Sequence, residues 1–353
     1  MIAYRLGWAL AIVICLAALA AAAWFVLRTP DSVFEDGDIP RVEAFASDGE
    51  PVLYTVEEGA SAKSIGAGLE AEGIIRSGRL FEVLVGLRGV SNALEAGEYE
   101  FERGLPAIEA VDRIAAGRTA SRRITIREGL RNEEIAELLE ARGIVPADAF
   151  MAALVKANYN EPFLASLQGD SLQGYLFPAG YEFSRSATAE DVVAAMLRAF
   201  QTNVVDELQL EGQDLTLEEV ITLASIVERE AATAEERPII ASVFLNRLRA
   251  GIPLQADPTV QFAVAADAAS VEEFGWWKRG LTFDDLKIEH PYNTYVHGGL
   301  PPGPIANPGL DSVLAVVRPA QTEYLFFVAK DDGTHVFAET LEEHERNVDM
   351  YQR

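Results

Sequence analysis

An α+β protein carried on one N-terminal membrane-spanning helix is the fold this sequence predicts, and three observations predict it. The first is an uncharged apolar run from Gly7 to Leu27. The second is a pair of similar short segments, near residues 54 and 124, each an alternating stretch followed by a Gly turn and an amphipathic stretch. The third is a series of helix-period apolar stretches in the C-terminal half, closed by a hairpin signal at Asp332-Gly333. Together they divide the chain into a cytoplasmic N-terminus (1–6), a transmembrane helix (7–27), a polar linker (28–49), a small α+β domain (50–122) and a mixed α/β C-terminal domain (123–353). The last begins with a second copy of the repeated βα unit, over 123–150.

The chain's 353 residues exceed what a single core usually holds, in keeping with more than one domain. A formal net charge of −26 repels phosphate backbones and argues against nucleic acid as a partner. Cys15 is the only cysteine and lies in the apolar run, which excludes disulfides, thiolate metal cages and a cysteine nucleophile in the soluble part. His290, His297, His335 and His344 form no HExxH pair or other zinc spacing. Neither a metal nor a cofactor is expected, and each histidine reads as structural or superficial.

The run 7–27 is long enough to cross a bilayer and is flanked by Arg5 and Arg28. Ala18-Leu-Ala20 has the small-x-small form of a cleavage site, but Trp24-Phe-Val-Leu27 continues the apolar run past it, which favours an anchor. Arg5 precedes the run, whereas Asp31, Glu35, Asp36 and Asp38 follow it. The positive-inside rule therefore keeps the N-terminus in the cytoplasm and places the body beyond the cytoplasmic membrane.

In the repeat, Tyr54-Thr-Val-Glu-Glu-Gly59, Ser64 to Leu69 and Glu72-Gly-Ile74 answer to Ile124-Thr-Ile-Arg-Glu-Gly129, Glu134 to Leu139 and Arg142-Gly-Ile144. Each copy reads as a strand, a Gly turn, an amphipathic helix and a Gly stop. The unit resembles a LysM-type half-module, a small fold associated with GlcNAc-containing glycans. A purely structural βα unit fits the same pattern, and pattern alone favours that. Leu94–Tyr99 and Ala107–Ile114 supply a further strand and helix.

Thr216 with Glu219 forms a capping box, predicting a helix from about Leu217 to Ala231. Leu217, Val220, Ile221, Leu223, Ala224, Ile226 and Val227 make one broad apolar face, with Glu218, Thr222, Ser225 and Arg229 opposite. Glu228 and Glu230 fall at the two margins of that face. A half-buried carboxylate is costly unless paired or used, and burial raises its pKa toward that of a general acid. Helical geometry marks both acids and does not choose between them; an ion pair to Arg237 or Arg247 is the ordinary alternative for either.

Pro238 opens a second helix running to Arg249 and stopped by Gly251, with Asn246 and Arg247 tethered next to the apolar Val243-Phe-Leu245. Pro253–Val260 reads as irregular. The loop Pro291–Ile305 is dense in aromatics, amides, Gly and Pro, a composition suited to sugar rings and equally to a stiff structural loop. Tyr324–Val328 and Thr334–Phe337 read as a scaffold hairpin.

The runs Ala224–Glu230, Ala241–Leu248, Leu254-Gln-Ala-Asp-Pro-Thr-Val260, Tyr292-Asn-Thr-Tyr295, Gly299–Ile305 and Asn307-Pro-Gly309 are similar to those of the YceG-like endolytic murein transglycosylases. The resemblance extends over nearly the whole chain. It implies cleavage of the MurNAc–GlcNAc bond within peptidoglycan strands, a 1,6-anhydro-MurNAc product, and work at the cytoplasmic membrane beside peptidoglycan synthases. The second Glu of the family's Glu-Lys-Glu-Thr motif is its catalytic acid, and that position is Glu230. Asn246, Arg247, Gln255, Asp257, Tyr292, Asn293, Thr294 and Tyr295 are the candidate substrate-binding residues. The chain departs from the family at Arg229, Ala231, Gln173, Ala179 and Gly180. Two other readings stay open: a wall-binding scaffold without catalysis, and a muramidase that adds water, for which Asp257 is the candidate second carboxylate.

Overall fold

A computed structural model describes residues 51–117, 119–208 and 215–352. The predicted anchor (7–27) and linker (28–49) lie outside the described residues, among which no helix is long and apolar enough to cross a membrane.

The architecture is mixed α+β, built from helices and three two-stranded antiparallel sheets. Strand β1 (Val52–Val56) pairs with β2 (Gly97–Phe101), Tyr54 opposite Tyr99. Helices α1 (Ala62–Ala71) and α2 (Gly78–Arg88) lie between them in sequence, and α3 (Ala107–Ala115) follows. The second copy repeats the order. Strand β3 (Arg122–Thr125) precedes α4 (Asn132–Ala141) and α5 (Ala147–Ala153) and pairs with β4 (Gly180–Phe183); α6 (Ala189–Phe200) follows. The mate of β3 therefore lies some way beyond residue 150, because the stretch after α5 inserts Phe163 and Tyr175 into the core before the chain returns.

The helix stops match between the copies. After α1, Gly73 is left-handed (φ 69°), and the Ile74 N–H reaches the Leu69 carbonyl at 2.9 Å. After α4, Gly143 (φ 63°) lets the Ile144 N–H reach the Leu139 carbonyl at 2.9 Å. This six-to-one closure satisfies orphan helix carbonyls and packs the two apolar partners of each bond into the interior.

Buried apolar residues form two clusters. One, with Leu69, Phe81, Tyr99 and Ile114, lies within the first strand–helix–helix–strand unit and α3. The other runs from Ile124 to Val316. Polar contacts tie them at one seam: the Glu98 carbonyl accepts from Ala120 N at 2.7 Å, its carboxylate from Ser186 N at 3.2 Å and from the Ser184 hydroxyl, and Arg185 pairs with Glu100.

At the centre of the larger cluster is α7 (Leu217–Glu230), opened by the capping box: Thr216 N donates to Glu219 Oε2 at 2.8 Å and Glu219 N to Thr216 Oγ1 at 3.3 Å. Every residue from Val220 to Val227 is buried, including Thr222 and Ser225 opposite the apolar face. Short hydroxyls make this possible by bonding backward: Thr222 Oγ1 to the Glu218 carbonyl and Ser225 Oγ to the Thr222 carbonyl, both at 2.7 Å. Ser225 Oγ also accepts from Ile305 N at 3.0 Å, seating the Pro-rich loop on the helix.

Helix α8 (Arg237–Ala250) ends at left-handed Gly251 as predicted. The stretch 253–260 is not irregular throughout: Asp257-Pro258 opens α9 (Asp257–Val264), Pro at a first-turn position where its missing N–H costs nothing. Helices α10 (Ala268–Phe274) and α11 (Leu310–Val317), the hairpin β5 (Phe326–Ala329)–β6 (His335–Ala338) and α12 (Leu341–Tyr351) complete the fold. Asn307, wholly buried, pins three segments together: Oδ1 accepts from Gly174 N and Leu176 N, and Nδ2 donates to the Leu130 carbonyl, each at 3.0 Å. Gln173 caps α4, accepting from Asn132 N at 3.1 Å.

Candidate active site

The structure separates the two acids that helical geometry left equivalent. Glu228 is turned into the protein. It accepts from Ser312 Oγ at 2.7 Å, Gly309 N at 3.1 Å and Arg237 at 3.5 Å. With its oxygens engaged by a buried ion pair and a loop amide, it holds α7, α8 and α11 together. Glu230 is the last residue of α7 and faces a cleft of about 400 Å³. Burial pushes its carboxyl up to about 8; the neighbouring Asp257 charge adds to the rise, and Arg247 and Arg229 oppose it. Its place at a helix C-terminus acts in the same direction, since the dipole there disfavours an anion. At neutral pH Glu230 is a protonated carboxylic acid facing open space, which is what a proton donor requires.

Arg247, Gln255, Asp257 and Tyr295 line the same cleft. Arg247 is buried and fixed by backbone oxygens: Nε donates to Leu325 at 2.6 Å and Nη1 to Leu254 at 2.7 Å, while its guanidinium lies over the Phe326 ring at 5.3 Å. Its charge is thus held in place beside the acid. The Tyr295 hydroxyl donates to Asp257 Oδ1 at 2.7 Å, and burial, then that bond, hold its pKa above the ordinary phenol value. Gln255 is exposed between buried Leu254 and Ala256, and it is the non-glycine residue with positive φ (48°) among those described. Such a conformation costs about 1–2 kcal/mol and tends to persist where function uses it.

The remaining candidates are placed elsewhere. Asn246 lines a separate depression, its Nδ2 donating to the Thr322 and Tyr324 carbonyls at 2.8 and 3.1 Å. Asn293 is wholly buried and bridges the Leu286 and Ile288 carbonyls at 3.0 and 2.9 Å. Thr294, also buried, accepts from Ala256 N at 3.0 Å and shares a hydrogen bond with Thr259. These two set the backbone that carries Gln255 and Tyr295. Tyr292 packs against Phe262, the rings tilted by 34° with centroids 4.6 Å apart, and does not line the cleft.

One wall was not foreseen. Phe327, Val328 and Ala329 of β5, His335 of β6, and His344 and Val348 of α12 line the cleft opposite α7 and α9. The hairpin read as scaffold thus forms part of the site. Its one local signal is a histidine where the alternation calls for an apolar residue. Among the departures from the family, Arg229 lies over the Trp277 ring at 3.9 Å and donates to the Gly129 carbonyl at 3.3 Å, and Ala231 is the extended residue that ends α7. Among the described residues no group of His, Cys, Asp or Glu could hold a metal ion.

The site is thus an acid at a helix end, facing a cleft walled by a strained loop and a hairpin, with a second carboxylate, Asp257, in the same cleft. The YceG-like family model matches residues 54–350. A Bacillus subtilis protein named endolytic murein transglycosylase is 33% identical over 318 residues, 85% of this chain and 84% of its own length. A Streptococcus pneumoniae protein of the same name is 29% identical over 326 residues, of which this chain spans 58% of its length. The crystal structure of a YceG-like protein from Listeria monocytogenes superposes with a TM-score of 0.54 at 32% identity, over 84% of this chain and 99% of that one. The chain belongs to the YceG-like family.

Proposed function

We propose that this protein is a membrane-anchored endolytic lytic transglycosylase that cuts the MurNAc–GlcNAc bond within peptidoglycan strands and leaves a 1,6-anhydro-MurNAc end. The observation that carries the reading is Glu230: a carboxyl held up to about 8, facing a cleft, at the position of the family's acid. Glu230 donates its proton to the glycosidic oxygen as the bond to C1 breaks. The C6 hydroxyl of the same muramyl residue closes on C1, and the Glu230 carboxylate takes the hydroxyl proton. One residue serves as acid and then base, a contribution of about 10²–10⁴ in rate. Arg247, fixed beside Glu230, favours the carboxylate formed midway, and Asp257 faces the positive charge that develops on the sugar. Gln255 and Tyr295 bind the sugar's polar rim. With residues 7–27 as anchor and the N-terminus in the cytoplasm, the cleft works on nascent strands outside the cytoplasmic membrane, where it ends their growth beside the synthases.

Asp257 in the same cleft favours one rival, a muramidase that uses it to activate water. Purified peptidoglycan digested with the full chain in detergent, Glu230→Gln in parallel, separates the two by product mass. Anhydro ends from the parent and none from the variant are expected. Reducing ends, one water heavier, would assign the chemistry to a hydrolase.

A further inference from the structure

The reaction just described asks two things of one carboxyl. While Glu230 still holds its proton for the glycosidic oxygen, its other oxygen is a neutral carbonyl, a weaker acceptor for the attacking hydroxyl than the carboxylate it becomes. A second acceptor that holds the hydroxyl in line until Glu230 ionises therefore favours the reaction. Asp257 Oδ1 already accepts from Tyr295, which leaves its second oxygen for the positive charge developing on the sugar.

His335 offers one. It lines the cleft with Glu230. Its side chain is 7% exposed, and it is fixed twice to Glu236: the backbone N–H donates to Glu236 Oε1 at 2.6 Å, and Nδ1 lies 3.1 Å from Oε2. Burial pushes the Glu236 carboxyl up, but those two hydrogen bonds, the attraction of the imidazole when it is charged and a bond from the Ala232 backbone outweigh it and hold the carboxyl below its ordinary pKa. Glu236 is therefore a carboxylate, which can only accept, so Nδ1 carries the hydrogen of that contact. The ring nitrogen left over is Nε2, and in the neutral ring it bears the lone pair. Phe327 stands edge-on to the imidazole with ring centroids 5.3 Å apart, fixing the ring plane. A carboxylate that orients a histidine whose far nitrogen serves a reacting hydroxyl is an arrangement enzymes reach on unrelated folds.

We propose that His335 is a further catalytic residue, whose Nε2 accepts a hydrogen bond from the attacking sugar hydroxyl and aligns it on C1, with Glu236 as its positioning partner. This rests on the transglycosylase reading, in which the attacking group belongs to the substrate. The hydroxyl proton passes to Glu230 as before, so His335 gains and loses nothing over the turnover.

Two variants of the full chain decide it. His335→Asn places an amide near Nδ1, keeping the tie to Glu236 and removing the acceptor. His335→Gln places its amide oxygen near Nε2, keeping an acceptor and losing the tie. Both retain the backbone N–H bond to Glu236, which anchors the hairpin. The expected order is a kcat loss of about 10²-fold for His335→Asn with KM within threefold, and a smaller loss, about tenfold or less, for His335→Gln. A merely structural histidine gives the opposite order, and that result, or His335→Asn within threefold of the parent, overturns the proposal. If thermal melts show His335→Asn unfolded at the assay temperature, His335→Gln decides alone: a loss as deep as that of Glu230→Gln overturns it. Product mass keeps the two readings apart. Anhydro ends with the wrong variant order sink only the role of His335; reducing ends from the parent sink both.

Discussion

The raised pKa of Glu230 makes the stability of the fold depend on pH. Its folded pKa of about 8 exceeds the ordinary 4.5, so between those values the native state binds a proton that the unfolded chain does not. The stability this group supports is fully present below about 4.5 and is lost as pH rises through about 8, by about 1.4 kcal/mol per unit at most. Glu230→Gln, which is neutral throughout, is expected to melt higher than the parent at pH 8.5 and the same at pH 5. Calorimetry at the two pH values checks this, and equal melting shifts at both would show that the acid is not held protonated. The same value sets activity: kcat/KM should fall as pH rises through about 8. Because the Asp257 charge helps hold Glu230 protonated, Asp257→Asn should move that alkaline limb to lower pH. Glu228 behaves otherwise. Glu228→Gln weakens the ties to Arg237, Ser312 and Gly309 and is expected to cost about 1–3 kcal/mol in urea unfolding while kcat stays within a few-fold. At this scale the sequence marked both acids, because helical periodicity is local. It could not rank them, because Gly309 and Ser312, which with Arg237 engage Glu228, lie some eighty positions away.

Among elements, those with terminal signals were legible. The capping box of α7 and the Gly stops of α1, α4 and α8 are written in adjacent residues and formed where expected. Thr216→Ala should cost about 1 kcal/mol, read from the urea midpoint with an unchanged slope. Two elements were misread for the same reason. The α9 start was hidden because left-handed Gln255 and extended Ala256 precede it, and no local rule assigns positive φ to a glutamine. The hairpin was read as core because alternation reports that one face is covered, not by what. Gln255→Gly relieves the strained backbone and removes the side chain. Its melting temperature should stay within about 2 °C of the parent or rise, while KM for glycan strands increases; a clear fall in melting temperature would mean the side chain packs rather than binds.

For the whole molecule, the two apolar clusters and the polar seam between them govern how the chain unfolds. A seam made of Glu98, Glu100, Ser184, Arg185 and Ser186 excludes little apolar surface, so each cluster can melt without the other. Scanning calorimetry of the full chain is expected to resolve two transitions, and Glu98→Ala to alter their separation more than either transition's enthalpy. A single transition with matching calorimetric and van't Hoff enthalpies would show the clusters to be one cooperative unit. The repeat was legible as two similar segments, because Gly73 and Gly143 stop their helices identically. That the second copy closes only at β4 was not, since a strand's partner is a long-range choice that period-two patterning leaves free.

The cleft is assembled from pieces made at very different moments. Glu230 is synthesised before the wall that shares its cleft, whose last residue is Gln352. At about 5–20 residues per second, roughly 6–24 seconds separate the two. Throughout that interval the nascent chain carries the acid without the hairpin and helix that complete its enclosure. An unfinished or prematurely released copy therefore lacks one wall of the cleft, and the site is complete only once translation has passed the hairpin and the helix beyond it.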